Sequence, residues 1–319
     1  MRITRRDFIK GAAAALLTIE GARLLKPPQA EYEIVETTRE LMGTSARITL
    51  LTRNKNRAQE ATNQAFARMY RVDRLMSIYR EDSEISMLNE HGYYGGLSPE
   101  TVHVIWRANH YSELSDGAFD ISILPILDSE TEKTSTSLVG YKNLILEGRN
   151  IRFIKRGMKI TLGGIGIGHA LDSAIEVLKS YDLESGMINI GGDIRAIGDT
   201  ADGISWKVGV EDPTDRSGFI STIDLKDNAV ATSGNYQKLH IKNPKTGTYP
   251  NGLLSATIIA SSALEADAVS TTVFVLGLDK GMEFINNIEG VEGLFVTNKH
   301  TILKSKGFKN FEIPSHHQI

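Results

Sequence analysis

Cysteine is absent from this chain of 319 residues. Its absence excludes a disulfide, a thiolate nucleophile, a cysteine-bound zinc ion and a lipid-modified cysteine, so we do not expect a lipoprotein. Any metal ion must therefore be held by oxygen or imidazole ligands, which favours Mg²⁺-type chemistry over that of softer metals. The formal net charge of −3 is small, and it gives no reason to expect nucleic acid as a partner.

A hydrophobic run long enough to span a bilayer is also missing from the sequence. The apolar run 11–19 is much shorter than the roughly 20 residues that a spanning helix needs. It follows the basic segment 4–10, which contains two adjacent arginines, and precedes the sequence PPQA at 27–30. This order predicts a twin-arginine-type export signal over residues 1–30, and hence a periplasmic or other extracytoplasmic protein, either free or at the inner membrane. A merely basic, frayed terminus is the alternative interpretation.

The rest of the chain divides most simply into a linker over residues 31–40 and one α+β domain over residues 41–319. A hydrophobic content of 41% is enough for a substantial core at this length. Apolar residues at helical spacing predict helices at about 56–76, 99–115, 169–180 and 264–276. Short apolar or alternating segments predict strands after Gly117 and at about 46–51, 143–146, 151–154, 158–162, 206–210, 218–225 and 255–260.

A glycine-dense turn precedes the third of these helices. It contains Gly163, Gly164, Gly166 and Gly168. Glycines allow backbone amides to approach a ligand closely, and the positive end of the following helix faces the same place, which favours anion binding. The spacing matches neither a dinucleotide-binding nor a P-loop pattern, and such a turn more often simply closes a tight connection between strand and helix.

Three polar residues near the end of the chain have the spacing of a metal site. Asp267 and Thr271 lie four residues apart on a predicted helix, so their oxygens share one face, with Ser270 beside them. Hard oxygen ligands of this kind suit Mg²⁺. The alternative is a helix N-terminal acid with a threonine that bonds back to the backbone.

Other candidates for chemistry are a histidine and three residues with large side chains. His240 lies between a predicted strand and a turn, where it could act as a general base or serve as a structural turn residue. Met42, Tyr79 and Phe119 could line a pocket for a flat ring, although such residues more often belong to the core.

Eight segments, taken together and in order, resemble the successive motifs of the ApbE family, which contains the FAD:protein FMN transferases. The resemblance extends over nearly the whole chain from about residue 40 to 296. The segments are MGT at 42–44, MSIYREDSEISMLN at 76–89, SDGAFD at 115–120, LGGIGIGHALD at 162–172, NIGGD at 189–193, AVATSGNY at 229–236, HIKNPKTG at 240–247 and ADAVST at 266–271.

The resemblance implies an enzyme with one domain of mixed, largely antiparallel sheets packed with helices. It implies a Mg²⁺-dependent reaction in which FAD is the substrate, FMN passes to a Ser or Thr hydroxyl of an acceptor protein, and AMP leaves. The acceptors of such enzymes usually carry a flavinylation motif that this sequence lacks. The implied partner is therefore another protein, such as a membrane redox subunit or an exported flavoprotein.

The resemblance also implies roles for individual residues. Metal ligands would come from Asp267, Thr271 and the carbonyl of Gly166, with Ser270 as a further contributor. His240 would be the base that activates the acceptor hydroxyl. The implied flavin-binding residues are Met42, Tyr79, Ala118, Phe119, Asp120, Gly163, His169 and Ile241.

Three positions depart from the usual family pattern. Ile167 occupies the place of a common lysine, His169 that of a common tyrosine, and Asn243 that of a common aspartate. The missing lysine removes a positive charge near the expected phosphates. Two alternatives to the transferase therefore stay open, namely an FAD pyrophosphatase that releases FMN and AMP, and a flavin-binding protein without catalysis.

Overall fold

The computed structural model describes residues 32–128, 136–200, 203, 205–215, 218–236 and 239–314. The export signal expected over residues 1–30 lies outside these residues. The expected linker over 31–40 is wrong for most of its length, because Glu33–Leu41 form a strand that pairs along its entire length with Thr44–Thr52. The folded part of the chain therefore begins before residue 41.

Seven α-helices and thirteen strands lie within the described residues. The helices are α1 (Lys55–Met76), α2 (Glu84–His91), α3 (Pro99–Leu114), α4 (Leu124–Leu127), α5 (Gly166–Ser180), α6 (Ala263–Leu276) and α7 (Leu278–Asn286). The strands are β1 (Glu33–Leu41), β2 (Thr44–Thr52), β3 (Tyr93–Gly95), β4 (Leu144–Glu147), β5 (Asn150–Phe153), β6 (Gly186–Ile190), β7 (Asp193–Ile197), β8 (Trp206–Glu211), β9 (Phe219–Leu225), β10 (Ala229–Gly234), β11 (Leu253–Ala260), β12 (Glu292–Thr297) and β13 (Ile302–Lys304). In this part of the chain, no helix is both long and apolar enough to cross a membrane.

Polar caps explain why several helices begin where they do. The side chains of Asn54, Ser98 and Ser262 each accept a hydrogen bond from the backbone amide three residues later, at the starts of α1, α3 and α6. Such caps satisfy amides that have no partner within the helix. Helix α5 is different, because Ile165 precedes it and provides no side-chain cap.

The strands form an antiparallel framework. Eight of them make the main sheet in the order β1-β2-β6-β7-β10-β11-β12-β13, with every neighbouring pair antiparallel. A sheet in the order β3-β5-β4 and the hairpin β8-β9 complete the set. The predicted α+β class with largely antiparallel sheets is confirmed.

The two faces of the main sheet bury different cores, because successive side chains of a strand point to opposite faces. Ala231 and Ile258 belong to the larger core, on the side where α1, α5 and α6 pack. Val230 and Ile259 belong to a smaller core that includes Val208 of β8 and residues of β9. Helix α6 is thereby held against β10 and β11, and it also packs against α5.

Two predicted strands and one predicted helix start are wrong. Residues 158–162 form no strand, because the backbone of Ile160 bonds in both directions to the side chain of Asn89. The segment after Gly117 forms a 3₁₀ turn, Ile121–Ile123, followed by α4, because the Asp120 side chain caps that turn. Helix α5 begins at Gly166 rather than at residue 169.

Gly168 allows α5 and α6 to approach each other, and we predict that Gly168→Ala destabilises the protein. A Cβ atom there would lie 2.2 Å from the carbonyl oxygen of Ala263 and 2.6 Å from Cα of Leu264, both backbone atoms. We expect the free energy of unfolding to fall by about 1–3 kcal/mol, measured by chemical denaturation.

Gly166→Ala is the matched control, because it lies in the same helix and its added Cβ would come no closer than 3.9 Å to a neighbour. We expect no loss of stability from that substitution, since alanine favours helix more than glycine does. Equal losses in the two variants would contradict this interpretation of Gly168.

Candidate active site

Helices α5 and α6 exchange caps where they cross. The Asp267 carboxylate on α6 accepts a hydrogen bond of 2.9 Å from the amide of Gly168 on α5. In return, the Asp172 carboxylate on α5 accepts bonds of 2.8 and 2.9 Å from the amides of Ala263 and Leu264 on α6. Each helix thus supplies the polar partner that the other needs at its first turn. The position of Asp267 is fixed by this exchange.

Three hydroxyl groups lie on the side of α6 that faces β10. The Oγ atom of Ser233 on β10 is 2.9 Å from that of Ser270 and 3.2 Å from Oγ1 of Thr271. Ser270 also donates a 2.9 Å bond to the carbonyl of Asp267. The structure therefore brings the predicted Asp267, Ser270 and Thr271 together, and it adds Ser233, which the sequence did not single out.

Neighbouring carboxylates change the pKa of Asp267. Burial raises the pKa of Asp267, and so do the negative charges of Asp193 and Asp172, whereas the bond from the Gly168 amide lowers it. Burial also raises the pKa of Asp193 from 3.8 to about 7, although the amide of Thr232 bonds to its carboxylate. A bound cation would offset the cost of ionising these buried groups.

The donor set at this point fits a hard divalent cation. Mg²⁺ prefers carboxylate, hydroxyl and carbonyl oxygens and keeps several waters. Across the described part of the chain, no group of three or more His, Asp or Glu side chains is arranged to hold a metal ion. The ligand set that the family resemblance implies, namely Asp267, Thr271 and the Gly166 carbonyl, contains one carboxylate and stays a prediction.

The glycine turn lies directly beside Thr271. A Cβ atom on Gly164 would come within 3.1 Å of Thr271 Oγ1 and within 3.3 Å of Phe119 Cε2. A Cβ atom on Gly166 would lie 3.9 Å from the end of the Met42 side chain. The turn thus places Phe119 and Met42, two predicted flavin residues, near the predicted metal ligands.

Only some of the glycine amides are available to a ligand. The amide of Gly163 donates to Thr161 Oγ1, and that of Gly166 donates to the Leu162 carbonyl. The amide of Gly168 is occupied by Asp267, and its missing side chain serves helix packing. Gly168 therefore serves neither a ligand nor the connection from strand to helix, but the contact between α5 and α6.

A single asparagine holds the segment that contains His240. The Oδ1 atom of Asn235 accepts bonds of 3.0 Å from the amides of both His240 and Ile241, and its Nδ2 atom donates to the Ile241 carbonyl. Asn235 follows β10 and lies two residues after Ser233. The end of this strand therefore carries the Ser233 hydroxyl and the asparagine that holds the segment of the candidate base, His240. Only its place in the AVATSGNY segment pointed to Asn235.

Other predicted site residues have structural partners. Asp120 is buried and bonds through its carboxylate to the backbone and hydroxyl of Ser122 and to the amide of Tyr141. Ala118, beside it, is also buried. The ring of Tyr79, in contrast, is 91% exposed. Tyr79 is therefore accessible to a ligand, whereas the side chain of Asp120 is committed to the fold.

The side chain of His169 contacts α3 rather than the three hydroxyls of Ser233, Ser270 and Thr271. Its Nε2 atom is 3.1 Å from Glu100, which also accepts a 2.7 Å bond from Arg68. Burial raises the pKa of Glu100, but the bonds from His169 and Arg68 outweigh it and hold that pKa at about 2. The expected flavin contact of His169 would therefore compete with its hydrogen bond to Glu100.

Comparison with known proteins identifies the family of this chain. Residues 42–295 match the model of the ApbE family. The chain belongs to the ApbE family. The crystal structure of an ApbE protein from Thermotoga maritima is 32% identical, covers 88% of this chain and all of its own, and superposes with a TM-score of 0.83.

Two relatives from Vibrio cholerae carry functional names. A solved flavin transferase ApbE is 26% identical, covers 88% of this chain and all of its own, and has a TM-score of 0.80. A curated FAD:protein FMN transferase is 29% identical in an alignment of 239 residues that covers 66% of this chain and 72% of the relative.

The departure from the ApbE pattern at residue 167 has a visible consequence. Ile167 is partly buried and packs against the main core. It thus adds apolar contact where the family resemblance implies a positive charge. If phosphate binds at the first turn of α5, residue 167 provides no charge to attract it, and the backbone dipole of the helix would have to do so.

The raised pKa of Asp193 predicts a pH dependence of stability. Between about pH 4 and pH 7 the unfolded chain releases this proton while the folded chain keeps it, so the stability contributed by the protonated form is lost as pH rises. We expect the free energy of unfolding, measured in urea without divalent cations, to fall less over this range in Asp193→Asn than in the wild type.

Glu100, the other carboxyl with a strongly shifted pKa discussed above, does not explain a fall in stability between about pH 4 and pH 7. Its pKa is lowered from 4.5 to about 2, so its effect on stability has the opposite sign and falls below about pH 4.5. Identical pH slopes for the wild type and Asp193→Asn would show that Asp193 does not titrate in this way.

Proposed function

We propose that this protein transfers FMN from FAD to a Ser or Thr hydroxyl of an acceptor protein, releases AMP, and requires Mg²⁺. The observation that carries the proposal is the meeting of Asp267 and Thr271 with the glycine turn beside Phe119. Membership of the ApbE family, with relatives named FAD:protein FMN transferase, supports the same activity.

The proposed reaction exchanges the phosphoanhydride bond of FAD for a phosphoester bond to the acceptor. The acceptor oxygen forms a bond to the phosphorus of the FMN half, and the bond from that phosphorus to the bridging oxygen breaks. AMP leaves with the bridging oxygen and its electron pair. The proton of the acceptor hydroxyl passes to the His240 imidazole, which acts as the general base.

Asn235 orients this base through the backbone. Because it bonds to two consecutive amides and one carbonyl, it restricts the segment from which the His240 side chain projects. Lys245 adds a second attachment, with its Nζ atom 2.6 Å from the Asp116 carboxylate. Precise placement of a base is a large part of its catalytic effect.

The oxygens of Asp267, Thr271 and the Gly166 carbonyl would hold the Mg²⁺ ion. When bound, Mg²⁺ would neutralise charge on the pyrophosphate and on the leaving AMP. Asp267 must be ionised to serve as a ligand, although its raised pKa favours the proton when no cation is present.

The flavin ring would lie between the side chains of Tyr79 and Met42. Tyr79 offers an exposed ring, and Met42 lies against Gly166. Aromatic and methionine side chains pack well against flat aromatic ligands. Phe119 is buried beside Gly164, so it would pack against the glycine turn rather than stack on the flavin ring.

We also propose an extracytoplasmic location and an exported acceptor. The support is the sequence of residues 1–30, with its paired arginines and short apolar run. A membrane redox subunit or an exported flavoprotein would meet the enzyme in that compartment.

The decisive assay for the proposed reaction follows AMP and the mass of an acceptor. We expect the purified full chain, given FAD and Mg²⁺, to release AMP when a peptide with the flavinylation motif is present, and the peptide to gain the mass of FMN. In Asp267→Asn, which keeps the side-chain size but removes the charge, AMP release should fall roughly 100-fold or more.

Other outcomes of this assay would assign another function. AMP and free FMN without peptide would indicate a pyrophosphatase. Tight FAD binding without AMP under any condition would indicate a flavin-binding protein. Full activity of Asp267→Asn would show that the proposed metal ligand is wrong.

Asn235→Ala tests the support of the base. We expect kcat to fall by about 10- to 100-fold, because the substitution frees the segment that carries His240. KM for FAD should rise as well, because the same asparagine holds the backbone of Ile241, an implied flavin contact. The control is Asn251→Ala, which removes a surface bond to Asn298 of 3.1 Å. Unchanged kcat in Asn235→Ala, with the control also unchanged, would exclude this positioning role.

A further inference from the structure

The hydroxyls of Thr271, Ser233 and Ser270 form a chain that ends on a backbone carbonyl. The successive oxygen distances are 3.2 Å from Thr271 to Ser233, 2.9 Å from Ser233 to Ser270, and 2.9 Å from Ser270 to the Asp267 carbonyl. Ser233 and Ser270 are both buried. Solvent therefore offers these two hydroxyls little competition for hydrogen bonds.

Counting protons gives this chain a direction. Each hydroxyl has one proton to donate, and a carbonyl can only accept. Ser270 donates to the Asp267 carbonyl, so its proton is used and Ser233 must donate to Ser270. The proton of Ser233 is then used as well, so Thr271 must donate to Ser233. The direction of all three bonds thus follows from the carbonyl at one end.

Without Ser233, the Thr271 hydroxyl would have a backbone carbonyl of its own helix as the usual acceptor. A threonine within a helix commonly donates its hydroxyl to the carbonyl four residues earlier. The neighbouring Thr272 does so, with a 2.8 Å bond to the Ala268 carbonyl. The corresponding carbonyl for Thr271 belongs to Asp267, and Ser270 already donates to it. Ser233 provides Thr271 with a different acceptor, on a neighbouring strand.

We propose that Ser233 is a positioning residue for the cation site. By accepting the proton of Thr271, it keeps lone pairs of the Thr271 oxygen available to a divalent cation. Ser270 then acts as a donor within the chain rather than as a metal ligand. This inference rests on the proposed function only in assuming that Thr271 is a ligand.

The test measures cation affinity directly, independently of catalysis. Mn²⁺ is titrated into the purified full chain without added flavin, up to millimolar concentration, and free Mn²⁺ is followed by electron paramagnetic resonance. We expect Ser233→Ala to bind Mn²⁺ about 10- to 100-fold more weakly than the wild type, as is usual when a partner of a metal ligand is removed. Thr271→Val should lose affinity to a similar extent.

The double variant decides whether Ser233 acts through Thr271. If it does, Ser233→Ala should cause no further loss when Thr271 is already valine, so the two effects should not add. An equal loss from Ser233→Ala in both backgrounds would overturn the proposal. So would an Mn²⁺ affinity of Ser233→Ala within twofold of the wild type.

Ser255→Ala is the matched control. Ser255 lies on β11 directly opposite Gly234, is buried, and its hydroxyl has no hydrogen-bond partner within the described structure. Its removal should leave Mn²⁺ affinity within twofold. A tenfold loss in this control would show that any buried serine substitution at this sheet disturbs the site, which would overturn the assignment to Ser233.

Two further results keep this inference separate from the proposed function. If the wild type binds no Mn²⁺, the metal assignment itself fails, and the role of Ser233 fails with it. If Ser233→Ala does not fold, Ser233→Cys replaces it, because a thiol has a similar size but is a weak donor and acceptor. The same tenfold criterion and the same double variant with Thr271→Val then apply.

Discussion

The exchange of caps between α5 and α6 is the contact on which the candidate site depends. Asp267 and Asp172 each bond to backbone amides of the opposite helix. Gly168 permits this approach, because a side chain there would collide with the backbone of Ala263. The glycine turn precedes one of these helices and the hydroxyls of Ser270 and Thr271 lie on the other, so both are positioned by this crossing.

At the same crossing, the fold disfavours the ionised form of Asp267, which a metal ligand would need. Asp267 is buried where Asp193 and Asp172 both disfavour its ionised form. A folded protein keeps such a group only if surrounding contacts outweigh its cost. The apolar packing of α5 and α6 against the main sheet provides those contacts. The unfavourable charge would become useful once a cation binds, since the carboxylate is then a preformed ligand.

The ends of the elements show why some local structure was predictable and some was not. Helices α1, α3 and α6 carry their own polar caps, so their starts can be read from adjacent residues. Helix α5 has no local cap, and its Gly168 amide finds Asp267 far along the chain. Strand β1 was mistaken for a linker because most of its residues are at least partly exposed and its apolar alternation is weak.

Periodicity, caps and ordered motifs are local properties of the chain, and they are enough to predict the fold class, the family and the set of oxygen-bearing residues. Which of those residues meet depends on contacts between distant parts of the chain. Tertiary structure joined Thr271 to Ser233, gave His240 a support in Asn235, and turned the His169 side chain toward Glu100. These outcomes depend on the register of β10 beside α6 and on the packing of α5, which pair residues distant in sequence. Spacing along one helix can show that oxygens share a face, but hydrogen-bond direction is fixed only by the partner across the fold.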